Sequence, residues 1–202
     1  MEFKKIQLNG FKSFAEKTNF LIEDGLTGIV GPNGCGKSNI VESLRWVMGE
    51  TSAKSMRGSG MEDVIFSGTS NKASKNIAEV SIDVENKNNE GPVQYRELNQ
   101  INVRRKIEKD KGSKFYINDK EVRARDAQMF FADLSTGAHS PSMISQGRIG
   151  SLVTAKPTDR RAILEEAAGI SGLHVRRHEA ELRLGAAENN LKRADELRRQ
   201  QE

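Results

Sequence analysis

Hydrophobic positions are spaced for strands at the start of the chain, for a helix after residue 37, for strands again between 76 and 118, and for helices beyond that. Phe3, Ile6 and Leu8, then Phe20 and Ile22, then Ile29 and Val30 predict three short strands, with Gly10, Asp24 and Gly25 as breaks. Ile40, Val41, Leu44, Val47 and Met48 recur at helical spacing and give that helix an apolar face. Gly49 to Gly60 is polar and rich in Gly and Ser, which predicts a surface loop, and Met61 to Phe66 reads as another strand. From Asn76 to Asn118 the period is two: Ala78, Val80, Ile82 and Val84, then Ile101, Val103 and Ile107, then Phe115 and Ile117. This pattern predicts an antiparallel sheet with one wet face and turns at 86–91 and 109–113. Asn118-Asp119-Lys120 reads as a hairpin tip before a helix from Ala124 to Leu134, with Ala127, Phe130, Phe131 and Leu134 on one face.

The last third is helical in a different way. Thr158, after Pro157, is placed as the N-cap of a helix running to Ala168, with Gly169 as its stop. Ala180, Leu184, Ala187, Leu191 and Ala194 then recur at spacings of four, three, four and three, the seam of a coiled coil. Arg198 breaks the pattern, and a single amphipathic helix packed on its own domain is the other reading of so short a seam.

Composition narrows the class. With 36% hydrophobic residues in 202, the chain can bury a real core and is not a disordered segment. Its 32 basic and 28 acidic residues leave only +4, so attraction for nucleic acid must come from local clustering. Between Arg96 and Arg125 there are ten basic residues and five acidic ones. Lys106, Lys109 and Lys111 read most simply as a solvated face, whereas Arg123 and Arg125, just after the hairpin tip, are candidates for DNA phosphate contacts. One cysteine, Cys35, excludes an intramolecular disulfide, and no run approaches the ~18 apolar residues of a membrane span. The N-terminus lacks an apolar leader, so the expectation is a cytoplasmic protein with no membrane partner.

The chemistry lies in Gly31-Pro-Asn-Gly-Cys-Gly-Lys-Ser38, which has the form Gly, four residues, Gly-Lys-Ser, between an apolar run at 26–30 and a helical pattern. Backbone N–H groups must wrap an anion there, and residues without Cβ let the chain turn and approach closely enough. Gly31, Gly34 and Gly36 supply that freedom, so the stretch reads as a nucleoside triphosphate site. Lys37 would reach the β- and γ-phosphates, and the Ser38 hydroxyl would ligate Mg²⁺. A phosphate-loop enzyme also needs an apolar strand ending in Asp. Met129-Phe-Phe-Ala-Asp133 has the local look, but its apolar residues space as a helix and Leu134 follows where a base should be. Leu134-Ser-Thr-Gly137 similarly resembles the Leu-Ser-Gly-Gly signature of ABC-type ATPases, but it precedes Gln146 where the signature should follow. The chain therefore reads as half of an active site.

Six stretches extend this reading: Gly-Phe-Lys-Ser-Phe at 10–14, Gly-Pro-Asn-Gly-Cys-Gly-Lys-Ser-Asn-Ile at 31–40, Met-Arg-Gly at 56–58, Met-Glu-Asp-Val-Ile-Phe at 61–66, Ile-Ser-Gln-Gly at 144–147, and Arg-Arg-Ala-Ile-Leu-Glu-Glu-Ala-Ala-Gly-Ile at 160–170. With these, the whole chain resembles the N-terminal head segment of a structural maintenance of chromosomes (SMC) protein of the bacterial chromosome-partition type. The resemblance implies an α/β fold: an ABC-type half-head, with a mixed sheet around the phosphate-loop helix, an antiparallel β subdomain and the start of a coiled-coil arm. Residues 1–170 would be the ATPase lobe and 171–202 the base of the arm, in a segment of a longer protein whose C-terminal head half supplies the catalytic acids.

The resemblance also implies roles. Gln146 would be the glutamine-loop residue at Mg²⁺, and Arg57 an arginine finger that acts on nucleotide when two heads engage as a homodimer. Pro32, Asn33, Gly34, Cys35, Gly36, Lys37, Ser38 and Asn39 would enclose the phosphates of ATP, and Lys12 and Ser13 would lie near the nucleotide. Arg123 and Arg125 would face DNA, and a kleisin subunit would dock near the arm. Gly60 stands where relatives carry Lys, so the resemblance does not extend to a DNA contact on that loop. The implied function is ATP-driven chromosome organisation on the nucleoid. A split-head DNA double-strand-break repair ATPase and a non-hydrolysing DNA-binding scaffold are the alternatives; Gly-Phe-Lys-Ser-Phe and the length of the antiparallel insert weigh against the first.

Overall fold

A computed structural model of the chain describes residues 1–87, 91–134, 150, 153–168 and 171–201. Six strands form one sheet: β1 (Glu2–Asn9), β2 (Thr18–Leu21), β3 (Ile77–Glu85), β4 (Gln100–Glu108), β5 (Gly112–Ile117) and β6 (Lys120–Val122). Their order is β2-β1-β3-β4-β5-β6, and every pairing is antiparallel. The strands before the phosphate loop and those after it, expected as separate units, are joined through β1 and β3, where Ile6 faces Ile82 and Leu8 faces Val80.

The period-two reading of β3, β4 and β5 is borne out. Side chains alternate across a strand, so Ala78, Val80, Ile82 and Val84 share the buried face with Ile101, Val103, Ile107, Phe115 and Ile117. Helix α1 (Lys37–Val47) packs this face across β3 and β4 with Ile40, Trp46 and Val47. Helix α2 (Ala124–Asp133) covers β5 with Ala127, Phe130 and Phe131. Met129 to Asp133 is the last part of α2, as the helical spacing required. At the β5–β6 tip, Asn118 and Asp119 have φ of 48° and 63°, the doubly left-handed turn whose twist matches a hairpin.

Arg105 occupies an inward position of β4 between Val103 and Ile107 and is 3% exposed. Its guanidinium lies 4.5 Å from the Trp46 ring and 4.6 Å from the Phe115 ring. It donates to the carbonyls of Trp46 and Glu50 at 2.7 Å each and to the Ser113 hydroxyl at 2.7 Å. Burial lowers its pKa to about 10, with the Glu50 charge opposing. A cation at the carbonyls that end and follow a helix complements its dipole. Arg105 thus ties the C-terminal end of α1 to the sheet.

Three expectations are corrected. Leu26 to Val30 is not a strand: Leu26 is 100% and Val30 97% exposed. A strand needs a neighbour for its N–H and C=O groups, and among the described residues none pairs with this segment. Met61 to Phe66 is a short 3₁₀ turn at Met61–Val64 followed by a single bridge from Ile65 to Phe11. Asp63 makes it a turn, because its Oδ2 accepts from the N–H of Ser59 and Gly60 at 2.6 and 2.9 Å and from the Ser59 hydroxyl at 2.8 Å. The Gly60 N–H, the Ser59 hydroxyl and the Ser59 N–H, in that order, hold the Asp63 carboxyl below its usual range. Finally, Gly49 to Gly60 is not wholly a surface loop, because Glu50 and Met56 turn inward and are buried.

Helix α3 (Pro157–Ala167) begins one residue before the expected start, with Pro in the first turn, where its missing N–H costs nothing. Helix α4 (Ser171–Gln201) has 31 residues, roughly 46 Å at helical rise. Near its start Ala180 and Arg183 share a cleft with Tyr95, Phe130 and Asp133. Further along, Leu184 and Leu191 of the seam are exposed. Among the described residues no helix is long and apolar enough to cross a membrane.

Candidate functional site

The phosphate loop runs directly into α1. Gly36 precedes the helix at φ 96°, and a Cβ there would lie 2.5 Å from the Ser13 Oγ. Only glycine accommodates both the left-handed backbone and that approach. Asn39 fixes the contact, its Nδ2 donating to Ser13 Oγ at 2.9 Å. Gly-Phe-Lys-Ser-Phe is therefore the turn that seats the phosphate loop, with Phe14 beside Gly36 and the Phe11 ring tilted against Trp46, centroids 5.4 Å apart. The first turn of α1 carries no acidic residue, and Gly36 offers no side-chain cap. Its leading N–H groups and dipole end are thus available to an anion.

Lys37 bends back over the loop. Its Nζ donates to the carbonyls of Gly31 at 2.5 Å and Pro32 at 2.6 Å and lies 3.7 Å from Cys35 Sγ. The ammonium therefore stands among the atoms of the loop itself. Pro32, Asn33, Gly34, Cys35 and Ser38 are exposed around it. This donor set fits a triphosphate with Mg²⁺: backbone N–H groups and an ammonium for phosphate, and a hydroxyl for the metal. Gln146, the other expected Mg²⁺ residue, lies outside the described residues.

Behind the loop, a carboxylate joins two expected residues. Glu42 of α1, 8% exposed, makes ion pairs with Lys12 through Oε2 and with Arg57 through Oε1. Lys12 Nζ also donates to the Met56 carbonyl at 2.5 Å, and its N–H donates to the Val64 carbonyl at 2.7 Å. Lys12 and Arg57 both have left-handed backbones, φ 47° and 55°. Such conformations persist in non-glycine residues only where surrounding contacts fix them. The structure therefore brings Lys12, Ser13, Arg57 and the phosphate loop onto one helix.

Arg123 and Arg125 stand elsewhere, exposed at the start of α2. Arg123 shares a groove with Lys114, Lys120, Glu121 and Asp126. At least four of the ten basic residues of this region are buried or already paired. Arg105 is buried, Arg104 pairs with Asp119 and Glu79, Lys111 with Glu108, and Lys114 with Glu121.

Two residues escaped the sequence reading. Glu42 is four residues before Trp46, on the buried side of α1. Arg105 keeps phase with Ile101, Val103 and Ile107. A charge at an inward position of a periodic pattern is the signal that could have found both.

Fold and loop together define an α/β phosphate-loop lobe with a helical arm. The chain belongs to the RecF/RecN/SMC N-terminal domain family, whose model matches residues 2–148. The chromosome partition protein Smc of Cereibacter sphaeroides is 55% identical over 197 residues, which cover 98% of this chain and 17% of that protein. This chain thus spans about one sixth of the length of that relative. A solved Smc head domain with an extended coiled coil, bound to the C-terminal domain of ScpA and derived from Pyrococcus furiosus, is 31% identical, with a TM-score of 0.77 over 96% of this chain and 48% of that one. A structure from work on ATP-driven dimerization and DNA-stimulated activation of SMC ATPases is 30% identical, with a TM-score of 0.71, over 83% of this chain and 99% of its own. The fold is that of SMC heads, an ABC-type ATPase fold with a coiled-coil segment.

Proposed function

We propose that the chain is the ATP-binding half of a chromosome-organising SMC ATPase, with residues 1–170 as the lobe and 171–202 as the base of its coiled-coil arm. One observation carries this reading: Lys37 is folded into its glycine loop at an uncapped helix N-terminus. A phosphate would take over the ammonium from neutral carbonyls, and charge-assisted bonds are roughly twice as strong as neutral ones. Ser38 and Gln146 would hold Mg²⁺, which when bound neutralises charge on the β- and γ-phosphates. Arg57 would act on nucleotide when two heads engage, where its permanent charge can meet charge developing on the phosphoryl group.

The exposed run 26–30 supports the same reading, since an apolar segment with no strand beside it among the described residues offers itself to a complementary head half. ATP would join two heads as a homodimer, and hydrolysis would separate them, so that DNA is entrapped, condensed and segregated. Arg123 and Arg125 would contact DNA phosphates. A kleisin would dock near the arm; the Pyrococcus furiosus head domain is bound to the C-terminal domain of ScpA. The cytoplasm and nucleoid are the corresponding location.

The test is Lys37→Ala in the complete protein, with Mg·ATP binding followed by calorimetry. Binding should be abolished, and unchanged affinity would remove the reading.

A further inference from the structure

Glu42 is a buried carboxylate shared unequally by two cations. The Lys12 side chain is 14% exposed and also bound to the Met56 carbonyl, so it is fixed in place. The Arg57 side chain is 60% exposed and reaches Glu42 from a loop that ends its 3₁₀ turn in a left-handed residue. Each cation takes a different carboxylate oxygen. Removing one partner of a buried pair is strongly unfavourable when the remaining charge is orphaned. Lys12 would remain on Glu42 if Arg57 swung out, so Glu42 could hold Arg57 without trapping it. Glu42 also sits on the helix whose first residues are Lys37 and Ser38, so the same rigid element places the phosphate loop and the guanidinium.

We infer that Glu42 is a positioning residue: it presents Arg57 for action on nucleotide, and Lys12 neutralises its carboxylate once Arg57 moves. This rests on the reading of Arg57 given above. Ordering the guanidinium beforehand lowers the entropy lost when it engages.

The experiment is a double-mutant cycle in the complete protein, with Mg·ATP affinity measured by calorimetry and kcat and KM by steady-state turnover. Glu42→Gln should lower kcat about tenfold, with ATP affinity held within about twofold, and should have no further effect in an Arg57→Ala background. Glu42→Asp, which keeps the charge, should recover part of the loss. An unchanged kcat, or an equal loss with and without Arg57, overturns the proposal. Should Glu42→Gln fail to fold, Glu42→Asp is read in the same two backgrounds. A chain that folds with neither assigns Glu42 to the fold and overturns the proposal as well. Lys37→Ala in the same protein separates the two levels. If it abolishes ATP binding while the Glu42 effect ignores Arg57, this proposal alone falls; if ATP binding survives it, the site falls too.

Discussion

Strand β3 and the run 26–30 are both short apolar segments built for a sheet, yet β3 lies between two strands and 26–30 pairs with none among the described residues. In β3, Val80 and Ile82 are fully buried; in the other run, Leu26 is fully exposed. Hydrophobicity alone therefore does not decide which segment becomes a strand. A neighbour with free N–H and C=O groups decides it. The same division separates the base of α4, which rests near α2, from its exposed seam leucines. One part of the molecule is completed by its own sequence, and the other leaves apolar side chains exposed.

The sharpest way to break this contrast is to attack the completed side. Trp46 is fully buried against Phe11 and Arg105. Trp46→Ala should cost about 3–5 kcal/mol in urea unfolding, as truncation of a large core aromatic does. A loss of under ~1 kcal/mol would mean the core is not organised around α1.

A second contrast sets the buried Arg105 against the exposed Arg123 and Arg125. Replacing the latter two with Glu should weaken duplex DNA binding by the complete protein and reduce its logarithmic salt slope by about 2. An unaltered slope would make both a solvated face.

The smallest effect belongs to the unpaired side. Leu26→Ala should change the stability of this chain alone by no more than ~0.5 kcal/mol, because the side chain is fully exposed. With a complementary head half present the same substitution should become destabilising. Equal, small effects in both settings would remove 26–30 from the partner surface.

What could be read from the sequence follows the same line. Strands β3, β4 and β5 were legible because period two is a local signal, and the β5–β6 tip because the polar turn at Asn118-Asp119 is another. The phosphate loop was legible because its residue types and spacing are set by the anion. Met61 to Phe66 was misread because a short apolar run fits a strand or a turn equally, and the Asp63 contacts that decide it bend the chain back on itself. Leu26 to Val30 was misread because strand formation depends on a distant neighbour. Glu42 and Arg105 were missed because their partners lie far along the chain: Lys12 is 30 residues from Glu42, and the Trp46 carbonyl is 59 residues from Arg105. Inward phase marked both positions, but not what they would bind.

The most direct test of a half-site is ATP turnover by these 202 residues alone and after addition of the complementary head half. No turnover is expected alone, and Lys37-dependent turnover is expected once the halves combine. Robust Lys37-dependent hydrolysis by this chain by itself would contradict it.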